Sequence, residues 1–144
     1  MEAIVISVDG ACSGRRCACA AVAMQSGRII GESSRNLPEA GGYVLAAELA
    51  GVALAARLLR PTDDKATIIV ETDHPGVPRL IEHGYQPRQR YRLPPEVVAE
   101  ATTFAHRYRV TLKLLPRNST PGLRRAHRLA SRHLWSRRWR FARH

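Results

Sequence analysis

Three carboxylates stand where a carboxylate is costly. Asp9 closes the apolar run at residues 4–9 (IVISVD), Asp73 follows the apolar run at residues 68–72 (IIVET), and Glu48 is the only charged residue between Val44 and Ala56. An acid in apolar surroundings loses its hydration and needs a partner. No arginine or lysine is fixed close in sequence to any of the three; the first after Asp9 is Arg15. Three converging carboxylates repel one another and raise each other's pKa values unless divalent cations sit among them. Mg²⁺ suits such a site, because it takes a few hard carboxylate oxygens together with waters and phosphate oxygens. Two such ions about 4 Å apart stabilise both the attacking and the leaving oxygen of phosphodiester hydrolysis.

The elements that must position these acids follow from patterning. Residues 3–9 and 17–25 read as strands, and Ser26-Gly27 turns the second into a hairpin partner at residues 28–35. Residues 44–60 read as a long helix closed by Pro61, apolar nearly all round and so buried on most faces. Thr62-Asp63-Asp64 is a turn, and residues 66–72 form another strand. A short helix is predicted over 75–83, a basic aromatic loop over 84–93, a helix from Pro94-Pro95 to Tyr108, a last strand over 109–115 and a basic helix over 122–139. The order β-β-β-α-β-α-α-β-α predicts an α/β fold, a five-stranded mixed sheet with helices on both faces. If the first and fourth strands are parallel neighbours, each ending on its acid, Asp9 and Asp73 arrive together. Glu71, two residues before Asp73, falls on the same face of the pleat and is a candidate to assist or replace it.

The 144 residues suffice for one domain with a real core, predicted over residues 1–136 with a basic tail at 137–144. No secretory signal and no membrane-spanning run is evident, so no membrane partner is expected. Cys12, Cys17 and Cys19 are clustered, odd in number and not in a C-x-x-C pattern, which argues against a disulfide framework or a zinc knuckle. They are expected to be reduced, with Cys17 and Cys19 as small core residues on one strand face, in a cytoplasmic setting. A monomer is expected.

Charge is lopsided. The net charge is +11, yet residues 101–144 hold eleven arginines, one lysine and no acid, leaving the first hundred residues close to neutral. A near-neutral body with a basic C-terminal third points to a polyanion, nucleic acid before an anionic membrane surface. Arg88, Arg90 and Arg92 alternate with Tyr85 and Tyr91, offering charge for phosphates and rings for stacking. Arg117, Asn118, Arg124, Arg125 and Arg128 lie in and after the loop preceding the last helix, and Arg125, Arg128 and Arg132 share a helical face. Such a stripe neutralises phosphates without reading bases. Trp135 either anchors the last helix to the core or stacks on a base.

The segments VDGACSG, AAELAGVALAARLL, IIVETDH and AHRLAS, in that order and spacing, resemble the type 1 ribonuclease H family over residues 3 to 134. The resemblance implies the ribonuclease-H-like fold and hydrolysis of the RNA strand of RNA–DNA hybrids with Mg²⁺ or Mn²⁺, leaving 5′-phosphate and 3′-hydroxyl ends. Double-stranded RNA is a further candidate substrate. It places Asp9, Glu48 and Asp73 at the first three metal-binding carboxylates. The family's fourth carboxylate, in an A-D-x-L-A pattern, is replaced by His127 in Ala126-His127-Arg128-Leu129-Ala130. Imidazole suits Mn²⁺ better than Mg²⁺, so Mg²⁺ binding is expected to weaken. His127 is therefore a candidate catalytic residue, with Asn118 a second candidate for the vacant place and a surface residue without a role the plain alternative. Tyr43, Val44 and Leu45 stand where the family carries amides that read 2′-hydroxyls, and His74-Pro75 follows the second aspartate. Two functional readings remain open at this level: a two-metal endonuclease, and a binding module on the same fold that has lost efficient catalysis.

Overall fold

The computed structural model describes residues 2–84 and 93–136. Five strands, β1 (Ile4–Ser13), β2 (Arg16–Gln25), β3 (Arg28–Asn36), β4 (Ile68–Thr72) and β5 (Thr111–Leu114), form one sheet in the order β3-β2-β1-β4-β5. β1–β2 and β2–β3 are antiparallel, whereas β1–β4 and β4–β5 are parallel. The described residues also form four α-helices: α1 (Val44–Ala55), α2 (Gly76–His83), α3 (Pro95–Arg107) and α4 (Pro121–Leu134). The α/β architecture and element order are those the patterning predicts. Arg88, Arg90, Arg92 and the tail over 137–144 lie outside the described residues.

α1 packs on β1 and β2 with α3 on its far side, and α4 covers the opposite face of β1, β2 and β3. Both faces of β2 are therefore covered, which explains its run of Cys, Ala and Val, all buried from Cys17 to Ala23. Cys17, Cys19, Ala21 and Ala23 join the larger core on the α1 side, while Ala20 and Val22 meet Ala126 and Ala130 of α4. Small residues on both surfaces let helix and sheet approach closely. α1 is buried from Leu45 to Ala55, as its uniform apolarity demands. Among the described residues no helix is long and apolar enough to cross a membrane.

Four expectations change. β1 does not end at Asp9 but runs on to Ser13, because Gly10–Ser13 pair with Arg16–Cys19 across a two-residue turn. The first helix ends its α-helical course at Ala55 and tightens into a 3₁₀ turn over Ala56–Leu58, and the last one ends at Leu134. Trp135 is 53% exposed and does not anchor the core; the Arg16 guanidinium lies 6.0 Å from the centre of its ring. Finally, Cys12 and Cys17 are joined in a disulfide, and Cys19 is a buried cysteine outside it. Continuation of β1 makes Cys12 and Cys17 direct cross-strand partners, with Cα atoms 4.1 Å apart. The case for a cytoplasmic setting from reduced cysteines falls with that bridge.

Gly10 fixes how closely α1 approaches β1. A Cβ there would lie 2.6 Å from both the Ala47 carbonyl carbon and the Glu48 nitrogen, which are helix backbone and have nowhere to go. Gly10→Ala is expected to lower unfolding free energy by about 3 kcal/mol, read from urea denaturation. Thiol titration of the unreduced, denatured protein should find one thiol. Because the bridge closes a short loop, its reduction should cost about 2 kcal/mol by the same denaturation assay.

Candidate metal centre

The parallel pairing of β1 and β4, with Ser7 opposite Glu71, carries the two chains side by side to Asp9 and Asp73. Asp73 is the first residue past β4, where the backbone leaves the sheet. Glu48 comes from the second turn of α1, directly over Gly10. The Gly10 amide donates to Glu48 Oε1 at 3.1 Å, and the Thr72 hydroxyl approaches Glu48 Oε2 at 3.4 Å. Asp9, Glu48 and Asp73 each offer a carboxylate oxygen within 4.8 Å of the others. Asp9 and Glu48 are buried, and Asp73 is half-buried.

Burial is the main force on both buried acids. It pushes Glu48 well above the usual carboxylate range, helped by the charges of Asp9 and Asp73. It pushes Asp9 up as well, helped by Asp73 and opposed by His127. His127, on the sheet-facing side of α4, brings Nδ1 to 3.1 Å from Asp9 Oδ2. Asp9 is thus the residue on which both helices converge: Glu48 of α1 on one side, His127 of α4 on the other.

Asp9, Glu48, Asp73 and His127 line one open cavity together with Gly10, Ala11, Cys12, Val44, His74 and Arg117. The sequence-derived candidates thus divide. Arg117 stands at this cavity, exposed. Asn118 does not line it; its left-handed backbone (φ 56°) makes a turn whose carbonyl accepts from Arg124 Nη1 at 3.1 Å. Arg124 and Arg128 are exposed on the outer face of α4. Arg125 turns to β3 instead and grips Glu32 with two hydrogen bonds, of 3.0 and 2.8 Å. That guanidinium holds the Glu32 carboxyl below its ordinary value.

His74 is a wall residue that sequence reasoning treated only as a departure from a pattern. Its Nδ1 accepts from the Gly76 amide at 2.9 Å, which leaves the proton of the neutral ring on Nε2. Burial lowers its pKa, with the Asp73 charge opposing. The signal was present in His74-Pro75-Gly76, where a helix start supplies a free amide two residues on.

The donor set fits a hard divalent cation. Three acceptor-only carboxylates converge in a partly buried site, and His127 is the one basic side chain among the described residues that hydrogen-bonds to any of them. Glu71, by contrast, stands outside the trio.

No family model matches the chain, and no curated protein is similar to it in sequence. Solved structures are similar in shape. The N-terminal ribonuclease H domain of a Mycobacterium tuberculosis protein superposes with a TM-score of 0.72 at 19% identity, over 93% of this chain and 94% of that one. Ribonuclease H1 of Halobacterium salinarum gives 0.67 at 18% identity, over 91% and 96%. LC11 ribonuclease H1, solved in complex with RNA/DNA hybrid, gives 0.69 at 20% identity, over 91% and 96%. With its five-stranded mixed sheet, its four helices and these likenesses, the chain has the ribonuclease-H-like fold.

Proposed function

We propose that this protein is a metal-dependent endonuclease of ribonuclease H type that hydrolyses the RNA strand of RNA–DNA hybrids. The observation that carries the reading is the convergence of Asp9, Glu48 and Asp73 from three separate elements. Burial and mutual repulsion make the trio unfavourable as bare anions, and a pair of Mg²⁺ or Mn²⁺ ions relieves both. When bound, such ions supply charge stabilisation for the attacking and leaving oxygens of a phosphodiester. The chain's own residues do the rest. Asp9, Glu48 and Asp73 would hold the ions, with Asp9 between the other groups. Arg117 stands at the cavity to pair with a substrate phosphate, and Arg124 and Arg128 extend positive charge along α4. Val44, 40% exposed at the cavity, offers a methyl surface where an amide would read a 2′-hydroxyl, which supports a relaxed substrate range reaching double-stranded RNA.

A second reading is favoured by one contact. His127 already occupies an oxygen of Asp9 and brings one negative charge fewer than a fourth carboxylate would. A site so balanced holds Mg²⁺ less tightly, and the protein is then a nucleic-acid-binding module of low or no activity.

Cleavage of end-labelled hybrid in Mg²⁺ and in Mn²⁺ separates the two. For the endonuclease, Asp9→Asn is expected to lower the rate by more than roughly a hundredfold while circular dichroism is unchanged. Salt-sensitive binding with no turnover in either metal supports the module. His127→Asp is expected to shift the preference from Mn²⁺ toward Mg²⁺, read as the ratio of rates in the two metals.

The raised carboxyls also set a pH dependence. In the metal-free protein Asp9 and Glu48 hold protons that the unfolded chain releases above 3.8 and 4.5. Their contribution to stability is therefore full in acid and is lost as pH rises toward neutrality. Melting in chelator from about pH 5 to about pH 8 should show this decline, and Glu48→Gln should flatten it. Added Mn²⁺ should stabilise progressively more as pH rises, because the ion competes with those protons.

A further inference from the structure

β4 carries a second buried carboxylate that the metal centre does not use. Glu71 is 9% exposed, and its side chain lies on the opposite face of the sheet from that of Thr72. Thr72 points toward α1 and Glu48. Glu71 points toward α4, beside its register partner Ser7 on β1. One oxygen, Glu71 Oε1, accepts from the Ser7 hydroxyl at 2.8 Å and from the Thr120 hydroxyl at 3.0 Å. Thr120 is the N-cap of α4, and its Oγ1 accepts in turn from the Leu123 amide at 3.1 Å. Gly122 sits directly on Ser7, and a Cβ there would overlap the Ser7 hydroxyl. Two strands and the start of a helix thus meet at one node, tight where Gly122 faces Ser7.

The same helix and strand meet once more. Two residues beyond Ser7 along β1 is Asp9, and seven residues beyond Thr120 along α4, about two turns, is His127. The Asp9–His127 hydrogen bond joins α4 directly to β1, whereas at the node the link from Thr120 runs through Glu71 of β4. Between them α4 presents Ala126 to Ala20 and Val22, a surface of small groups that can slide without a steric stop. The Arg125–Glu32 pair and the approach of His133 to Ser34 tie α4 to the edge strand β3, and the node at Glu71 holds its start. Displacement by one residue moves the imidazole along the axis by about 1.5 Å, half a hydrogen-bond length.

We propose that Glu71 is a positioning residue: by holding the Thr120 cap it fixes α4 in depth and rotation, and so sets the reach of His127 to Asp9. It touches neither the carboxylate trio nor the cavity they line. Its task is that of an acceptor for two hydroxyls, which the carbonyl oxygen of glutamine also performs. Only the consequence for ion affinity rests on the metal-site reading; the placement of His127 does not.

The test measures the ring ¹⁵N shifts of His127 in the metal-free protein. Glu71→Ala is expected to move them toward the values of Asp9→Asn, and Glu71→Gln to leave them at the parent values. Thr120→Val, which keeps volume but removes the link, should repeat the effect if Glu71→Ala does not fold. Mn²⁺ affinity by calorimetry should fall about tenfold in Glu71→Ala, with no further loss when the substitution is made in His127→Ala. Parent ring shifts in Glu71→Ala and Thr120→Val, even with a lowered melting temperature, overturn the proposal, as does an equal loss of affinity in both backgrounds. If the parent binds no Mn²⁺, the metal-site reading fails, and the ring shifts still decide the role of Glu71.

Discussion

The close approach of α1 to β1 at Gly10 is the constraint on which the structure turns. It brings an acid from a helix onto two acids at the ends of neighbouring parallel strands. At 4.8 Å and an effective dielectric near 20, each fully charged pair costs on the order of 3 kcal/mol. That cost is imposed on a domain whose total stability is roughly 5–15 kcal/mol. The fold meets it with rigidity. α1 is enclosed between sheet and α3, the Gly10 amide holds Glu48, and Thr72 links Glu48 to the chain at His74, whose amide donates to the Thr72 hydroxyl at 3.1 Å. Rigid placement keeps the acids from swinging apart into water, so their repulsion persists as affinity for a cation.

α4 answers the same problem from the other face of the sheet. Its inner side is Gly122, Leu123, Ala126, Ala130 and Leu134, all buried, while Arg124, Arg128 and Arg132 face outward. Its basic residues do not all serve one end. Arg125 is held by Glu32 on β3, so it ties helix to sheet and neutralises an edge-strand acid. His127 reaches inward and hydrogen-bonds Asp9. The helix is thus a packing element, a carrier of surface charge and the source of the basic side chain that hydrogen-bonds to the trio.

Much of this was legible in the sequence because burying charge is so unfavourable. An acid after an apolar strand, and one acid in a helix with no other charge, are anomalies that composition alone exposes, and each led to a member of the trio. What could not be read was register. Gly10–Ser13 fall outside the strand predicted over residues 3–9 because they are small and carry no alternating apolar pattern. They are strand residues, small at Gly10 because α1 passes so close. With β1 cut short, Cys12 had no partner; with β1 extended, it faces Cys17. Which helix covers the face on which Glu71 lies likewise depends on tertiary packing. The same holds for Trp135, whose helical position says nothing of α4 ending one residue before it.

The imidazole of His127 beside Asp9 answers to the same electrostatics. A polyanion approaching three acids meets repulsion unless cations screen them. An imidazole against Asp9 lowers the negative charge at the cavity, and Arg117 lowers it further. On the proposed metal reading, the gain in approach comes with a weaker hold on a hard cation, since the imidazole contributes one softer donor in place of charge. That balance suits a chain that carries +12 over residues 101–144. It also makes the position of the imidazole more exacting than that of a carboxylate. A carboxylate has two equivalent oxygens and tolerates rotation, whereas a ring presents one nitrogen in one direction. That demand for alignment fits the hydrogen bond by which the N-cap of α4 is held to Glu71 of β4, itself bonded to Ser7 of β1.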